Sequence, residues 1–179
     1  MQFDDRQFKP FLTEQEISDL LDDIAAKINK DYDMNDKILL VGVLKGAFVV
    51  MADLLRRLHS DVEVDFVRTV NQGKSLRSPG TITLLKDISV DVRTRHVIIV
   101  EEIIDSGRTL QYLYDRLKAA NPPSIKVATL LDKRAKRLVK LNADYVGKTV
   151  DDQFLIGYGL DLEERCRNLP GIHALKYPN

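Results

Sequence analysis

Two stretches of this sequence are apolar without alternation: Ile38-Leu39-Leu40-Val41-Gly42-Val43 and Val97-Ile98-Ile99-Val100. A strand with one wet face alternates apolar and polar residues. An unbroken apolar run fits a strand covered on both faces, as in parallel sheets flanked by helices. The segments between the runs supply helices. Thr13 and Glu16 have capping-box spacing, and Ile17, Leu20, Leu21, Ile24, Ala25 and Ile28 then recur at helical spacing over 14–30. Phe48, Met51, Leu54, Leu55 and Leu58 stripe 47–58, and Leu110, Leu113, Leu117 and Ala120 stripe a third helix that Pro122-Pro123 stops. Further strands are expected at Val62–Val67, Thr81–Leu85, Ile125–Leu131, 144–147, 153–158 and 172–175. The fold class is α/β, a central, mainly parallel sheet flanked by helices, and 179 residues suit a single domain over 1–179.

Charge and composition remove several function classes. The 27 Lys+Arg match the 27 Asp+Glu, so no overall field draws the chain to nucleic acid or an anionic membrane. The longest apolar stretch, Ile38 to Leu44, is seven residues, far below the roughly 18 of a membrane span. MQFDDRQFKP has no apolar core, so no export is expected. The single cysteine, Cys166, cannot form an internal disulfide, which suits a reducing, cytoplasmic setting. His59, His96 and His173 share no metal-ligand spacing. The polar run from Asn71 to Gly80 reads as the tip of a long hairpin, where function or mobility is common.

The chemistry concentrates between Val97 and Thr109. Ligands of open α/β sheets bind beyond the carboxyl ends of the strands, and both Lys45 and Glu101–Thr109 fall there. An apolar strand runs into Glu101-Glu102, and a short turn with Asp105, Ser106 and Gly107 opens a helix. A helix N-terminus offers unpaired N–H groups and partial positive charge, which suits a phosphate. Gly107 permits close backbone approach, and the Ser106 and Thr109 hydroxyls add donors. No GxxxxGK[ST] spacing is present, so this is not a P-loop. Three carboxylates beside a phosphate cradle need sugar hydroxyls, a divalent cation or a proton to accept. The plain alternative is that Asp105 and Ser106 cap the helix while the glutamates are solvated.

The run from Val97 to Leu110, VIIVEEIIDSGRTL, resembles the phosphoribosyl-diphosphate signature of the type I phosphoribosyltransferases. Gly42-Val43-Leu44-Lys45-Gly46-Ala47 is similar to the diphosphate loop of the purine-salvage members, in which the Leu–Lys peptide is often cis. Leu130-Leu131-Asp132-Lys133-Arg134 is similar to their purine-recognition strand end. The block from Asp152 to Asp161, DQFLIGYGLD, resembles the hypoxanthine-guanine branch of compact bacterial type.

The resemblance covers the chain from near residue 14 to Leu169 and implies a type I phosphoribosyltransferase fold with a small hood formed by the chain ends. The implied activity is purine salvage: Mg²⁺-dependent transfer of phosphoribosyl from phosphoribosyl diphosphate to hypoxanthine or guanine. The implied roles follow the matched positions. Asp105 accepts the N7 proton, and Asp105, Ser106, Gly107, Arg108 and Thr109 hold the 5-phosphate. Lys45, Gly46 and Arg167 grip diphosphate. Lys133 donates to the six-position oxygen, Phe154 stacks on the purine, Leu155 reads its edge through the backbone, and Asp161 completes that side. Glu101, Glu102 and Asp161 serve Mg²⁺ and the ribose hydroxyls. Family members associate as dimers or tetramers, which sets the expected partner.

The chain also departs from the pattern. Glu102 stands where the family usually has Asp, and Asn71-Gln72 falls near the Ser-Tyr pair of the family's mobile loop. Leu162 and Cys166 replace common aromatics. Lys148 resembles a feature of pyrimidine-operon regulators on the same fold, and Lys133, Arg134, Lys136, Arg137 and Lys140 form a basic cluster at helical spacing. A nucleotide-sensing, RNA-binding regulator with little catalysis is therefore the competing reading. The block from Phe154 to Asp161 does not fit it.

Overall fold

The computed structural model describes residues 2–3, 6–72 and 81–176. Its main sheet has six strands in the order β5-β4-β3-β6-β7-β8. These are β3 (Ile38–Leu44), β4 (Val62–Gln72), β5 (Thr81–Lys86), β6 (His96–Ile104), β7 (Ser124–Asp132) and β8 (Tyr145–Thr149). All neighbours are parallel except β4 and β5, which form the antiparallel hairpin expected around the polar run. Residues 73–80 of that run, and the side chains of Asn71 and Gln72, lie outside the described residues. The lid expectation placed on Asn71-Gln72 falls there too.

Residue-by-residue burial explains the apolar runs. Ile38 and Leu40 of β3, with Ile98 and Val100 of β6, face one cluster with helix α1 (Glu14–Asp31) and helix α2 (Ala47–Leu55). Leu39, Val41 and Val43, with Val97 and Ile99, face Leu110, Leu113 and Leu117 of helix α3 (Arg108–Ala119). Neither face is wet, so neither can be polar. Helix α1 starts as its sequence implies: the Thr13 side chain accepts from Glu16 N–H, and the Glu16 carboxylate accepts from Thr13 N–H at 2.8 Å.

The chain ends build a second sheet in the order β1-β2-β10-β9, from Gln2–Phe3, Arg6–Leu12, Ile172–Leu175 and Leu155–Ile156. This is the expected hood. Its β2 was not anticipated, because Pro10 demotes a strand reading, yet Phe8 and Leu12 are buried and β10 pairs along it. Another difference matters more for the site. Strand β6 does not end at Val100 but runs to Ile104, with Glu101 opposite Thr129 and Ile104 opposite Asp132. The neighbour β7, equal in length and paired end to end, supplies the ladder partners, so the glutamates stand within the sheet edge rather than beyond it. Helix α2 ends at Leu55, three residues short of the expected 58.

Candidate active site

Strand β3 pairs with β4 on one side and β6 on the other, so the chain changes direction across the sheet between β3 and β6. A crevice opens at such a point. A cavity of ≈ 250 Å³ lies there, lined by Val43, Leu44 and Lys45 from β3 and by Glu101 to Gly107, Thr109 and Leu110 from β6 and α3. The Leu44–Lys45 peptide is cis.

The turn into α3 is shaped for an anion. Gly107 is the N-cap residue, with φ +77°, a left-handed conformation that glycine adopts freely, and no side-chain cap is made there. The Ser106 hydroxyl stands 3.4 Å from the Arg108 N–H, at the long limit of a hydrogen bond. The capping alternative is met only by this one long bond to Ser106, while Asp105 pairs with Lys133. Gly107, Thr109 and Leu110 line the cavity, so the positive end of the helix lies at its wall.

Lys133 ends β7 and is buried, with its side chain 8% exposed; its Nζ lies 3.1 Å from Asp105 Oδ1 and 3.8 Å from Asp152 Oδ1. Its backbone N–H donates to Ile104 O at 3.0 Å, which ties the β7 end to the phosphate turn. Phe154 exposes 39% of its surface, whereas the Leu155 side chain is buried in the core, so only the Leu155 backbone can face a ligand. Asp152, the second carboxylate near Lys133, precedes Phe154 by two residues.

Lys45 and Arg167 meet on the other side, and the group between them is Glu164. Its Oε2 lies 2.7 Å from Lys45 Nζ and 3.2 Å from Arg167 Nη2. Arg167 also donates to Gly159 O at 2.8 Å and pairs with Asp161 Oδ1 at 3.1 Å. Hydrogen bonds from Lys45 and Arg167 hold the Glu164 carboxyl below its usual range. Glu164 has no signal in the sequence beyond its place three residues after Asp161. Gly159, at φ +93°, seats this turn on the diphosphate loop: a Cβ there would come within 2.2 Å of Gly46 O.

Glu101 and Glu102 sit at the cavity floor. Burial raises both carboxyls above their ordinary value, and mutual repulsion adds to the effect at Glu101. The Glu102 carboxylate lies against Gly46, where a Cβ would fall 1.9 Å from Oε1. Its Oε2 is buried without a hydrogen-bond partner among the described residues.

Of the expected metal set, Asp161 already has protein partners. Asp161 gives one oxygen to Arg167 and the other to the Glu164 N–H at 2.9 Å. No three His, Cys, Asp or Glu among the described residues form a ready metal centre. Glu101 and the orphaned Glu102 oxygen still suit a magnesium ion, which commonly takes one or two carboxylates and completes its shell from water and substrate phosphate.

The basic cluster does not form one face. Residues Arg134–Lys136 make a single 3-10 turn. Lys133 is committed to Asp105, Lys136 pairs with Asp152 at 2.7 Å, and Arg137 is buried against Asp132. Nothing here favours an RNA-binding surface. No helix among the described residues is long and apolar enough to cross a membrane.

A cleft at a sheet switch point with an uncapped helix terminus and paired cations defines a class of phosphate-ester-handling α/β proteins, and comparison with known proteins agrees. The phosphoribosyl transferase domain family matches over residues 9–163. The hypoxanthine-guanine phosphoribosyltransferase of Bacillus subtilis is 41% identical over 168 residues, covering 94% of this chain and 93% of that one. A crystal structure of the Bacillus anthracis hypoxanthine-guanine phosphoribosyltransferase superposes with a TM-score of 0.88 at 38% identity, covering 96% and 99% of the two chains. The "Bifunctional protein TilS/HprT" of Listeria monocytogenes is 43% identical, and the match spans 94% of this chain but 26% of that longer protein. This chain belongs to the hypoxanthine-guanine phosphoribosyltransferases within the phosphoribosyl transferase domain family.

Proposed function

We propose that the chain, as one domain over 1–179, transfers the 5-phosphoribosyl group from phosphoribosyl diphosphate to a 6-oxopurine, hypoxanthine or guanine, releasing diphosphate. The observation that carries this is Lys133: a buried ammonium 3.1 Å from Asp105, beside a helix terminus that no side chain caps. A buried lysine donor is satisfied by a six-position oxygen and left unpaired by an amino group, which disfavours adenine.

The residues divide the work. The N–H groups of 106–109 and the Ser106 and Thr109 hydroxyls hold the 5-phosphate. Lys45 and Arg167 neutralise the diphosphate, exchanging their contact with Glu164 for the ligand. Phe154 offers a partly exposed ring to the purine face, and the Leu155 backbone reads its edge. As the glycosidic bond to diphosphate breaks, positive charge builds on the ribose, as in glycoside chemistry. The purine nitrogen attacks the anomeric carbon, and Asp105 takes the proton from N7.

Mg²⁺ suits this site: held by Glu101 and Glu102 together with substrate oxygens, it would supply charge neutralisation to the departing diphosphate. Asp161, paired with Arg167, would add the metal and purine contact that the family resemblance implies. Partners are thus phosphoribosyl diphosphate and a 6-oxopurine, in a cytoplasmic, homo-oligomeric setting.

The test is diphosphate release with phosphoribosyl diphosphate, Mg²⁺ and hypoxanthine, guanine, xanthine, adenine or uracil. Turnover with 6-oxopurines and none with adenine is expected. Silence with every base, from protein that binds the sugar diphosphate, would overturn the reading.

A further inference from the structure

The open side of Gly107 faces the turn at 133–139. A Cβ on Gly107 would meet Val139 Cγ2 at 2.7 Å and Arg137 Cδ and Nη1 at 2.9 Å. The two segments are laced together, for Leu138 N–H donates to Ser106 O at 2.9 Å and Lys133 N–H donates to Ile104 O at 3.0 Å. Arg137 is therefore the side chain on which the phosphate turn rests. That side chain is 10% exposed, and Asp132, which pairs with its Nη2, is 3% exposed. Asp132 also takes Arg134 Nε at 3.2 Å. Arg137 Nε and Nη1 are buried without a hydrogen-bond partner among the described residues.

A buried guanidinium with two unused donors is costly unless something else uses its charge. The neighbouring groups show what that is. Glu101, Glu102 and Asp105 line the same cavity, so an anion entering it meets three carboxylates. Lys133 is held by Asp105, and Lys45 and Arg167 serve the Glu164 side. The end of α3 supplies only partial charge. Resting on the reading of the 105–109 turn as a phosphate cradle, we propose that Arg137 is the buried cation of that cradle: it braces Gly107 from behind and offsets the charge of a phosphate monoester bound at the α3 N-terminus. It is a positioning residue, since it acts through the turn.

The experiment titrates the full chain with ribose 5-phosphate and, separately, with inorganic pyrophosphate by calorimetry. Removing a charged donor makes Arg137→Met lose about tenfold or more in ribose 5-phosphate affinity. Pyrophosphate affinity is expected to be unchanged, because Lys45 and Arg167 are untouched. Arg137→Lys restores part of the loss. Asp132→Asn removes the counter-charge while keeping the guanidinium, so it binds ribose 5-phosphate at least as tightly as wild type.

Two results would overturn the proposal: Arg137→Met binding ribose 5-phosphate like wild type, or Asp132→Asn losing as much as Arg137→Met. The second would make Arg137 a mere neutraliser of Asp132. Should Arg137→Met not fold, Arg137→Lys and Asp132→Asn carry the same comparison, and loss in Asp132→Asn decides against it. Wild-type protein that binds pyrophosphate but not ribose 5-phosphate would instead sink the cradle reading itself, and the role of Arg137 with it.

Discussion

Among the lysine–carboxylate pairs of this fold, three differ sharply in burial. Lys133–Asp105 has its lysine 8% exposed, Lys86–Asp65 has its carboxylate 9% exposed, and Lys45–Glu164 has side chains 47% and 63% exposed. The same two chemical groups thus serve three ends. A buried ammonium must have a partner at all times, so it can choose among ligands by offering a donor that only the right atom satisfies. An exposed pair is held loosely, is screened by salt, and can be exchanged for a ligand at little cost. On the proposed reading, the purine side of the site is built the first way and the diphosphate side the second.

The sharpest way to break this contrast is Lys133→Ala. A site made to hydrogen-bond a substrate group discriminates by about 10⁴-fold or more, so the variant should lose most turnover with hypoxanthine and its preference over adenine. Steady-state kinetics with both bases checks it, and an undiminished preference would refute the assignment. Next in size is Asp105→Ala, expected to lower kcat by about 10²–10⁴-fold with phosphoribosyl diphosphate binding nearly unchanged. Equal turnover would remove the proton-acceptor role.

The middle pair predicts a pH effect on stability. Burial alone would raise the Asp65 carboxyl, but hydrogen bonds from Lys86, the Ser89 and Phe66 N–H groups and the Ser89 hydroxyl bring it down to about 2. A carboxyl lowered in the folded state stabilises the fold above its ordinary value of 3.8, and that contribution disappears as pH falls through about 2. Acid unfolding of wild type should therefore steepen across this window, and Asp65→Asn should flatten it. A variant with the wild-type acid limb would show that Asp65 does not anchor the base of the β4–β5 hairpin. The smallest effect belongs to the open pair. Glu164→Gln should leave the thermal midpoint unchanged in moderate salt, because the pair is exposed on both sides. A measurable drop would mean that the diphosphate side is as rigid as the purine side.

The parts of the site that sequence reading reached are those that lie close together along the chain. Strand β6, the Asp105-Ser106-Gly107 turn and α3 form one continuous segment, so an apolar run, a glycine and a helical stripe are enough to place them. Lys133 and Phe154 were singled out only through the family resemblance, since nothing in their local pattern marks them. Glu164 was missed, because its partner Lys45 is 119 residues away and nothing local marks the meeting. Arg137 was grouped with other basic residues, since burial cannot be seen in a charge count. The extension of β6 through Glu101 and Glu102 was missed as well. Two acidic residues look like the end of a strand until a neighbour that continues past them is laid alongside.

The sequence by itself determined the α/β class, the two-sided burial of β3 and β6, the helix start at Thr13 and the glycine turn that opens α3. Each follows from side-chain period or from backbone conformations that only a few residues allow. Tertiary structure alone decided which charges are dry and which are wet. It buried Arg137 beneath Gly107, left Glu164 between two cations in the open, and set Glu102 against Gly46. The reason is physical: the strength and purpose of a charge depend on its solvent and its neighbours, and both are supplied by distant segments of the chain.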